Sequence, residues 1–320
     1  MSTRTADALR DWAGKRGYRI AWYDGGVVRR AFERVGRLRE EGAIDAGFFA
    51  KFLAWLERPG VLARAETKSV ILVAVPRPAH VVSFEDKARR YALVLPPTYL
   101  RYYPLFDEVL ADLEAAAGDG LRPRRLDAPL KTIASLAGFA RYGKNNIAYV
   151  DGLGSGVQLM GFAAGLDLPE AGVPFPEGVP LALDECRSCR ACLRACPTGA
   201  IVEDRFLFHG ERCLTGFSEG EGELPQEFAR LRTRTLVGCL ACQEVCPANR
   251  GRLSFEKLPQ SFSGEETAYL LGERGDGPPS ADLVAKVRTL GLSDITIDEG
   301  GPSPVFRRNL RAVLREAADA

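Results

Sequence analysis

The sequence predicts an α+β protein built in three parts: an N-terminal α/β layered domain over residues 1–178, a cysteine-rich domain over 179–256 and a short helical extension over 257–320. Three observations predict this layout. Apolar strand patterns alternate with helical patterns in the first half, all eight cysteines lie between Cys186 and Cys246, and the chain ends on a helical pattern. With 320 residues, the chain is long enough to bury the cores of about two domains.

The first half of the chain carries the elements of the layered domain. Two apolar runs with the character of buried strands are Tyr18–Asp24 and Ser69–Pro76. Helical patterns lie between and after them: Ala6–Lys15, Val27–Glu40, Ile44–Leu56, Pro104–Ala116 and Leu130–Ala140. A glycine-rich, partly apolar stretch follows from Gly143 to Gly165. Strands that alternate with helices predict an α/β layered arrangement.

Charge and hydropathy exclude several classes of protein. The 43 Lys and Arg residues nearly balance the 42 Asp and Glu residues, so no global field marks a partner of nucleic acids or membrane surfaces. The N-terminus has no apolar signal core, and no apolar run approaches the roughly 18 residues of a membrane span. We therefore expect a cytoplasmic protein with no membrane partner. Thiols there are kept reduced, and clustered cysteines typically bind metal or carry out redox chemistry.

The cysteines form two spaced runs. The first holds Cys186, Cys189, Cys192 and Cys196 and ends on Pro197; the second has Leu236 where its first cysteine would stand, followed by Cys239, Cys242 and Cys246. In two-cluster ferredoxins, the last cysteine of each run ligates the cluster of the other run. Cys213 is the remaining cysteine and completes the set. The spacing predicts two 4Fe-4S clusters in a ferredoxin-like domain: cluster I on Cys186, Cys189, Cys192 and Cys246, and cluster II on Cys196, Cys213, Cys239 and Cys242.

Two alternatives apply to the cysteines. Structural zinc also favours four-cysteine sites, although zinc sites normally consist of two separated C-x2-C knuckles. Alternatively, the clusters serve only as structural elements. Because paired clusters at short range are useful mainly for moving electrons, the sequence favours electron transfer to something bound by the first 185 residues.

Several short motifs precede the cysteine runs in a fixed order: Pro129-Leu130-Lys131, Ala137-Gly138-Phe139, Gly143-Lys144-Asn145, the Gly154-Ser155-Gly156 loop and Leu159-Met160-Gly161. Together with the crossed cysteine runs, this order resembles the epoxyqueuosine reductase family, distant relatives of the reductive dehalogenases. The resemblance covers roughly Ser69 to Asn249 and the C-terminal "SPVFRRNLRAVLREA". It implies a corrinoid (cobalamin) on the α/β domain, reduced through the two clusters.

One departure from the family concerns the proton donor. Where the family has an Asp-Tyr-His tract, this chain reads "LRYYPLFDEVL", with Tyr102 at the place of the aspartate. The related dehalogenases donate a proton from a tyrosine helped by a cation, so the resemblance makes Tyr102 the candidate catalytic residue. A phenol with a pKa of about 10 donates well only when a cation stabilises its anion, and nearby candidates are Arg101 and Lys144. Alternatively, Tyr99, Tyr102 and Tyr103 simply cover an apolar surface.

The resemblance also indicates candidate corrinoid contacts: Lys144, Asn145, Asn146, Gly154, Ser155 and Gly156. The first three follow a glycine in a predicted turn and would donate to corrin amides or a phosphate tail. The glycines would let the backbone approach a flat macrocycle closely. Ordinary turn chemistry and a flexible loop are the alternatives. The family's aromatic loop is replaced here by Ser155–Gly161.

Partners are predicted from local features. On the last helix, Arg307, Arg311 and Arg315 recur every four residues beside Arg308, and this basic stripe would contact tRNA phosphates or, alternatively, form a solvated helix face. The clusters call for a low-potential donor such as a ferredoxin or flavodoxin.

The resulting hypothesis is a corrinoid-dependent reductase that acts on a bound substrate, either epoxyqueuosine in tRNA or another small organic molecule. The alternative is an electron-transfer or corrinoid-reactivating protein without its own corrinoid. A third interpretation places a flavin in the same pocket. Bound cobalt distinguishes the first two, because only the reductase requires it.

Overall fold

The computed structural model describes residues 3–58, 67–117, 121–165, 168, 182–225, 234–273, 278–290, 297–298 and 301–318. Within these ranges, no helix combines the length and the apolar character that a membrane span needs.

The N-terminal part is a layered α/β unit. Its elements in chain order are α1 (Thr3–Lys15), β1 (Arg19–Asp24), α2 (Gly26–Glu40), β2 (Ser69–Pro76), β3 (Ala79–Asp86), β4 (Arg89–Leu95), α3 (Tyr102–Ala117), β5 (Arg124–Arg125), α4 (Leu130–Leu136), β6 (Arg141–Tyr142), β7 (Ala148–Tyr149) and β8 (Val157–Ala164). Four strands form an antiparallel sheet in the order β1-β2-β8-β5.

Both faces of this sheet are covered, which explains the uninterrupted apolar sequence of β2. Ile71 and Val73 point to one core, where α1 and α3 supply Leu9, Phe106 and Leu113. Val70 and Leu72 point to the opposite core, where α2 and α4 supply Val28, Ala31 and Ile133. A strand buried on both faces is apolar at every position rather than at alternate ones.

Most predicted elements occur within a few residues of their predicted ends. α4 is shorter than predicted, because Gly138 takes a φ of +75° and turns the chain at its C-terminus. The helix predicted over Ile44–Leu56 is instead a helical segment of three kinds: an α-turn at Ala46–Phe48, a π-turn at Phe49–Leu53 and a 3-10 turn at Ala54–Glu57.

The cysteines lie on short helical turns. These are a 3-10 turn at Asp184–Arg187, α5 (Ala191–Ala195), a 3-10 turn at Gly210–Arg212, α6 (Leu214–Glu219), α7 (Ala241–Glu244) and a 3-10 turn at Pro247–Asn249. α5 and α7 pack against each other, so the two cysteine runs face one another.

The C-terminal part adds β9 (Phe255–Phe262), α8 (Gly264–Leu271), α9 (Ala281–Leu290), β10 (Ile297–Asp298), β11 (Gly301–Pro302) and α10 (Pro304–Ala318). β9 joins a second sheet of order β4-β3-β9 and runs parallel to β3. Phe84 of β3 stacks on Phe262 of β9, with ring centroids 4.6 Å apart, and the three helices cover this face. The domain boundary predicted between 256 and 257 falls inside β9, and the one between 178 and 179 lies outside the described residues.

The arginines of the last helix are largely used within the protein. Arg308 donates to the carbonyls of Phe217 (2.7 Å) and Gly220 (2.9 Å), and Arg311 donates to the carbonyl of Leu271 (2.8 Å). Arg307 packs on Gly272, and among the four only Arg315 is exposed. This placement differs from the predicted solvent-facing stripe, because α10 docks on α6 and α8 through these side chains.

Glu266 ties α8 to α9, and we expect its replacement to lower stability. Its carboxylate accepts from the Ser263 backbone N–H (2.8 Å) in a capping box and from Lys286 Nζ (2.7 Å). Burial alone would raise the pKa of Glu266, but the hydrogen bonds from Lys286 and Ser263 outweigh it and lower the pKa. Glu266→Ala should cost about 1–2 kcal/mol of unfolding free energy in denaturant titrations.

The stabilisation that Glu266 provides depends on pH in a defined direction. Because the folded-state pKa is depressed, the stabilisation is complete above the ordinary glutamate value of about 4.3 and is lost as the pH falls through the folded-state pKa. Glu41→Ala removes an exposed carboxylate as the control. Equal unfolding free energies of the two variants at pH 7 would contradict the prediction.

Candidate functional site

The buried thiols have other cysteines as their electrostatic neighbours. Burial raises the pKa of the Cys192 thiol, and three neighbouring thiols raise it further: Cys186, Cys189 and Cys246. Burial likewise raises the pKa of Cys239 to about 11, with contributions from Cys213 and Cys196.

Cys242 connects the second set to the first. Its pKa is raised by burial and by the thiols of Cys239 and Cys213, and Cys192 of the other set also contributes. The two sets are therefore close neighbours. The first set combines three cysteines of the first run with Cys246 of the second, and the second set combines Cys239 and Cys242 with Cys196 of the first run and Cys213, as the crossed pattern requires.

Backbone N–H groups surround several of these sulfurs. Cys196 Sγ accepts from the Ala200 N–H at 3.2 Å. Burial would raise the pKa of Cys196, but hydrogen bonds from Thr198 and from the backbone of Ala200 and Ile201 outweigh it and lower the pKa. The residues after Cys196 thus form a polar cradle suited to a thiolate, which metal ligation requires.

Among the described residues, no three His, Cys, Asp or Glu side chains converge on a single-ion metal site. A 4Fe-4S cluster binds each thiolate at a different iron, so its ligands are spread around the cluster instead of converging on one ion. The donor set, eight thiols in two groups of four, fits two such clusters.

A cavity of about 1300 Å³ extends from the second cysteine set into the α/β domain. Its lining includes Cys196, Cys213, Cys239 and Cys242, and part of the volume is the space between these thiols. Ordinary small-molecule sites enclose roughly 300–1,000 Å³. The cavity is therefore large enough for a bulky ligand beside the cysteines.

The helical segment after α2 closes one side of this cavity with aromatic side chains. Phe48, Phe52 and Trp55 all contribute to its lining. Phe48 packs on Gly210, where an added Cβ would lie 2.8 Å from the ring. Gly210 thus permits close contact between this segment and the turn that carries Cys213.

Tyr102 lies at the cavity as the first residue of α3. Gln158 on β8 donates from Nε2 to the Tyr102 carbonyl (2.9 Å), and the Tyr102 ring packs edge-on against Tyr103. Burial raises the pKa of Tyr102, while Arg125 lowers it. The cation beside Tyr102 is therefore Arg125, whose guanidinium stacks on the rings of Tyr103 and Phe106 at 4.8 and 4.9 Å.

The cations predicted from sequence lie elsewhere. Arg101 pairs with Glu108 on the exposed side of α3. The Lys144 backbone N–H is hydrogen-bonded to the Cys186 sulfur, and this lysine is not part of the cavity lining.

The predicted corrinoid contacts divide into two groups. Asn145, Asn146 and Ser155 line the cavity, whereas Lys144, Gly154 and Gly156 do not. Gly154 instead approaches the second cysteine segment: its φ is +70°, and an added Cβ would lie 2.7 Å from Asn249 Oδ1.

The side chains of the three lining residues are engaged within the protein. Ser155 Oγ donates to Gln243 Oε1 (2.8 Å) and accepts from Asn249 Nδ2 (2.7 Å). Asn146 donates to the carbonyl of Phe206 (3.0 Å) and accepts from the backbone N–H of Phe208 (2.7 Å). These bonds fix the cavity wall to the loops between the cysteines.

Two further polar residues face the cavity and were not assigned a role from the sequence. Lys131 lines the cavity and donates from Nζ to the Asn146 carbonyl (3.3 Å). Burial of this ammonium group within the cavity lowers its pKa, and Cys213 raises the pKa in opposition. Gln158 is fully buried, and its Oε1 has no hydrogen-bond partner among the described residues. In the sequence, Gln158 is the one polar residue of the apolar run "VQLMGFAA", and this position could have identified it as a candidate.

Comparisons with known proteins agree with this geometry. Residues 185–249 match the family described as "4Fe-4S double cluster binding domain". The epoxyqueuosine reductase of Shewanella oneidensis is 35% identical over 193 residues, which cover 55% of this chain and 47% of that protein. The enzyme of the same name from Bacillus subtilis is 41% identical over 96 residues, which cover 30% of this chain and 24% of that protein. The chain thus spans about half the length, or less, of these curated relatives.

Solved structures extend the likeness to nearly the whole chain. The structure of epoxyqueuosine reductase from Streptococcus thermophilus aligns with a TM-score of 0.68 at 20% identity, covering 99% of this chain and 82% of that chain. An epoxyqueuosine reductase solved with a modified tRNA-Tyr stem loop aligns with a TM-score of 0.64 at 21% identity, covering 98% of this chain and 82% of that chain. This likeness confirms the predicted α+β fold class.

Proposed function

Because the chain is a relative of the epoxyqueuosine reductases and shares their fold, we propose that it is an iron-sulfur reductase that binds two 4Fe-4S clusters and a corrinoid. The observation that carries the proposal is a cavity lined both by four cysteines and by Tyr102. An electron source and a proton source would thus meet at the same cavity, as reduction of a bound substrate requires.

In this proposal the two sets of thiols hold the clusters. Cys186, Cys189, Cys192 and Cys246 bind cluster I, and Cys196, Cys213, Cys239 and Cys242 bind cluster II. Because the cluster II cysteines line the cavity, cluster II is the one that faces the cofactor and cluster I the one that receives electrons from outside. A low-potential ferredoxin or flavodoxin suits the role of external donor.

The cavity residues fit a corrinoid. Oε1 of Gln158 is a buried acceptor without a partner among the described residues, and the peripheral amides of a corrinoid are N–H donors that would satisfy it. Lys131 adds a positive charge to the cavity, and the backbone at Asn145, Asn146 and Ser155 forms a fixed wall. A bound corrinoid supplies a low-valent metal centre able to transfer electrons to an organic substrate.

Tyr102 is the proposed proton donor to the substrate. Its raised pKa keeps the hydroxyl protonated near neutral pH, and Arg125 stabilises the anion that remains after donation.

The proposed substrate is epoxyqueuosine in tRNA or another small organic molecule. The relatives' names and the solved complex with a tRNA stem loop support the first choice. Val35 and Leu38 of α2 line the cavity, and the same helix carries the exposed Arg37. Contact with tRNA phosphates there predicts binding that weakens as salt increases.

Metal content tests the proposal directly. After anaerobic cluster reconstitution, incubation with hydroxocobalamin and gel filtration, we expect about eight irons and about one cobalt per chain, with a cobalt(II) EPR signal. Gln158→Leu should retain its iron and bind less cobalt. A protein that holds about eight irons and no cobalt would overturn the reductase and leave an iron-sulfur electron carrier.

A further inference from the structure

Asn145 and Tyr149 form a buried polar pair between the two sets of cysteines. They flank the tight turn that connects β6 to β7, and their side chains are 5% and 3% exposed. Asn145 Nδ2 donates to the Tyr149 hydroxyl at 3.0 Å. This bond leaves one hydrogen on the amide nitrogen and the hydroxyl hydrogen available for other acceptors.

Both remaining hydrogens lie beside cysteines of different sets. Tyr149 belongs to a buried cluster against which Cys186 and Cys246 pack, and Cys246, a proposed ligand of cluster I, raises the pKa of Tyr149. Asn145 lines the cavity together with Cys242, a proposed ligand of cluster II, and the Asn145 amide lowers the pKa of that thiol. The bonded pair therefore lies between one set of thiols and the other, with one donor hydrogen on each side.

The local backbone fixes this arrangement. The Ile147 N–H donates to Asn145 Oδ1 (3.3 Å), which assigns the carbonyl end of the amide to the backbone and its NH2 end to Tyr149. At Gly143, an added Cβ would collide with Asn145 Oδ1 and lie 2.7 Å from the Tyr149 ring. Glycine is therefore required for the pair to fold back onto the cysteines.

We propose that this pair, the Asn145–Tyr149 bridge, raises the reduction potentials of both clusters by donating hydrogen bonds to one ligand of each. The inference rests on the proposed function, since it requires the clusters. A reduced cluster carries more negative charge than an oxidised one, so its sulfurs are the stronger acceptors and donors stabilise the reduced form. Asn145 is accordingly a residue that tunes the clusters, in addition to lining the cavity.

Redox titration followed by EPR tests the bridge. Tyr149→Phe removes only the hydroxyl, and we expect one midpoint potential to fall by an amount equivalent to about a tenfold change in the reduction equilibrium, about 59 mV for one electron. Asn145→Leu removes both amide donors and should lower the other potential most. The matched control is Tyr142→Phe, because that buried hydroxyl on β6 contacts Thr132 at 3.3 Å instead of a cysteine.

The outcomes separate the bridge from the proposed function. Unchanged potentials in variants that keep about eight irons overturn the bridge and leave the clusters intact. A wild-type protein that holds no clusters overturns the proposed function, and the bridge with it. If a variant loses iron, resonance Raman spectra of wild-type protein in D2O decide: iron–thiolate bands that shift on exchange support the bridge, and bands that do not shift overturn it.

Discussion

Replacing Cys213 with alanine is expected to abolish one 4Fe-4S cluster and to leave the other unchanged. Iron should fall from about eight per chain toward about four, with one of two EPR signals lost. The reason is that Cys213 lies outside both cysteine runs, yet its thiol neighbours Cys196 and Cys239 of the second set. The backbone at Thr215 and Gly216 is hydrogen-bonded to its sulfur, which gives this cysteine the surroundings of a ligand.

Cys186→Ala provides the reciprocal comparison. It should lose a similar amount of iron but retain the signal that Cys213→Ala loses. Two variants with the same remaining signal would show that the proposed division into two ligand sets is wrong. A Cys213→Ala protein with its full iron content would remove Cys213 from the ligands.

The second large effect, a loss of turnover rate, is expected when Tyr102 is replaced by phenylalanine. Tyr102→Phe preserves the ring contacts with Tyr103 and Phe106 and removes only the hydroxyl. If that hydroxyl donates a proton during turnover, the rate should fall about 10²- to 10⁴-fold, while iron content and cobalamin binding stay at wild-type levels. Single-turnover assays with prereduced protein measure this step without the external donor.

The pKa of Tyr102 adds a prediction on pH. Burial raises it above its ordinary value of about 10, despite Arg125, so the donor keeps its proton at neutral pH. Any loss of rate through its ionisation should therefore occur only above about pH 10. Tyr23→Phe is the control, because its buried hydroxyl belongs to the core between the sheet and α2. An unchanged rate in Tyr102→Phe would exclude this proton donor.

The double-cluster domain could be predicted because thiolate spacing reflects cluster chemistry directly. Two runs with one member missing leave a single way to complete eight ligands, and the structure places Cys213 next to Cys196 and Cys239. The strands and helices of the first half were predictable for a similar reason, since burial on both faces leaves a continuous apolar run at Ser69–Pro76.

The cavity and the second sheet could not be predicted in this way. The β3–β4 hairpin turns at Lys87 and Ala88, both at positive φ, and neither residue is a typical turn signal. The cation at Tyr102 comes from Arg125, which is 23 positions away in the chain and reaches the site only through the pairing of β5 with β8. Spacing along the sequence carries no information on such contacts.

The segment that carries the cysteines is anchored to the rest of the protein at both ends. Before the first run, the Leu183 N–H donates to the Tyr142 carbonyl (2.9 Å); after the last cysteine, β9 pairs with β3. In proteins whose electron-carrying module swings on a linker, each internal transfer waits for a diffusive search. In the proposed reductase no such search would precede the internal step, so solvent viscosity should slow the encounter with the external donor and leave the passage of electrons within the protein unaffected.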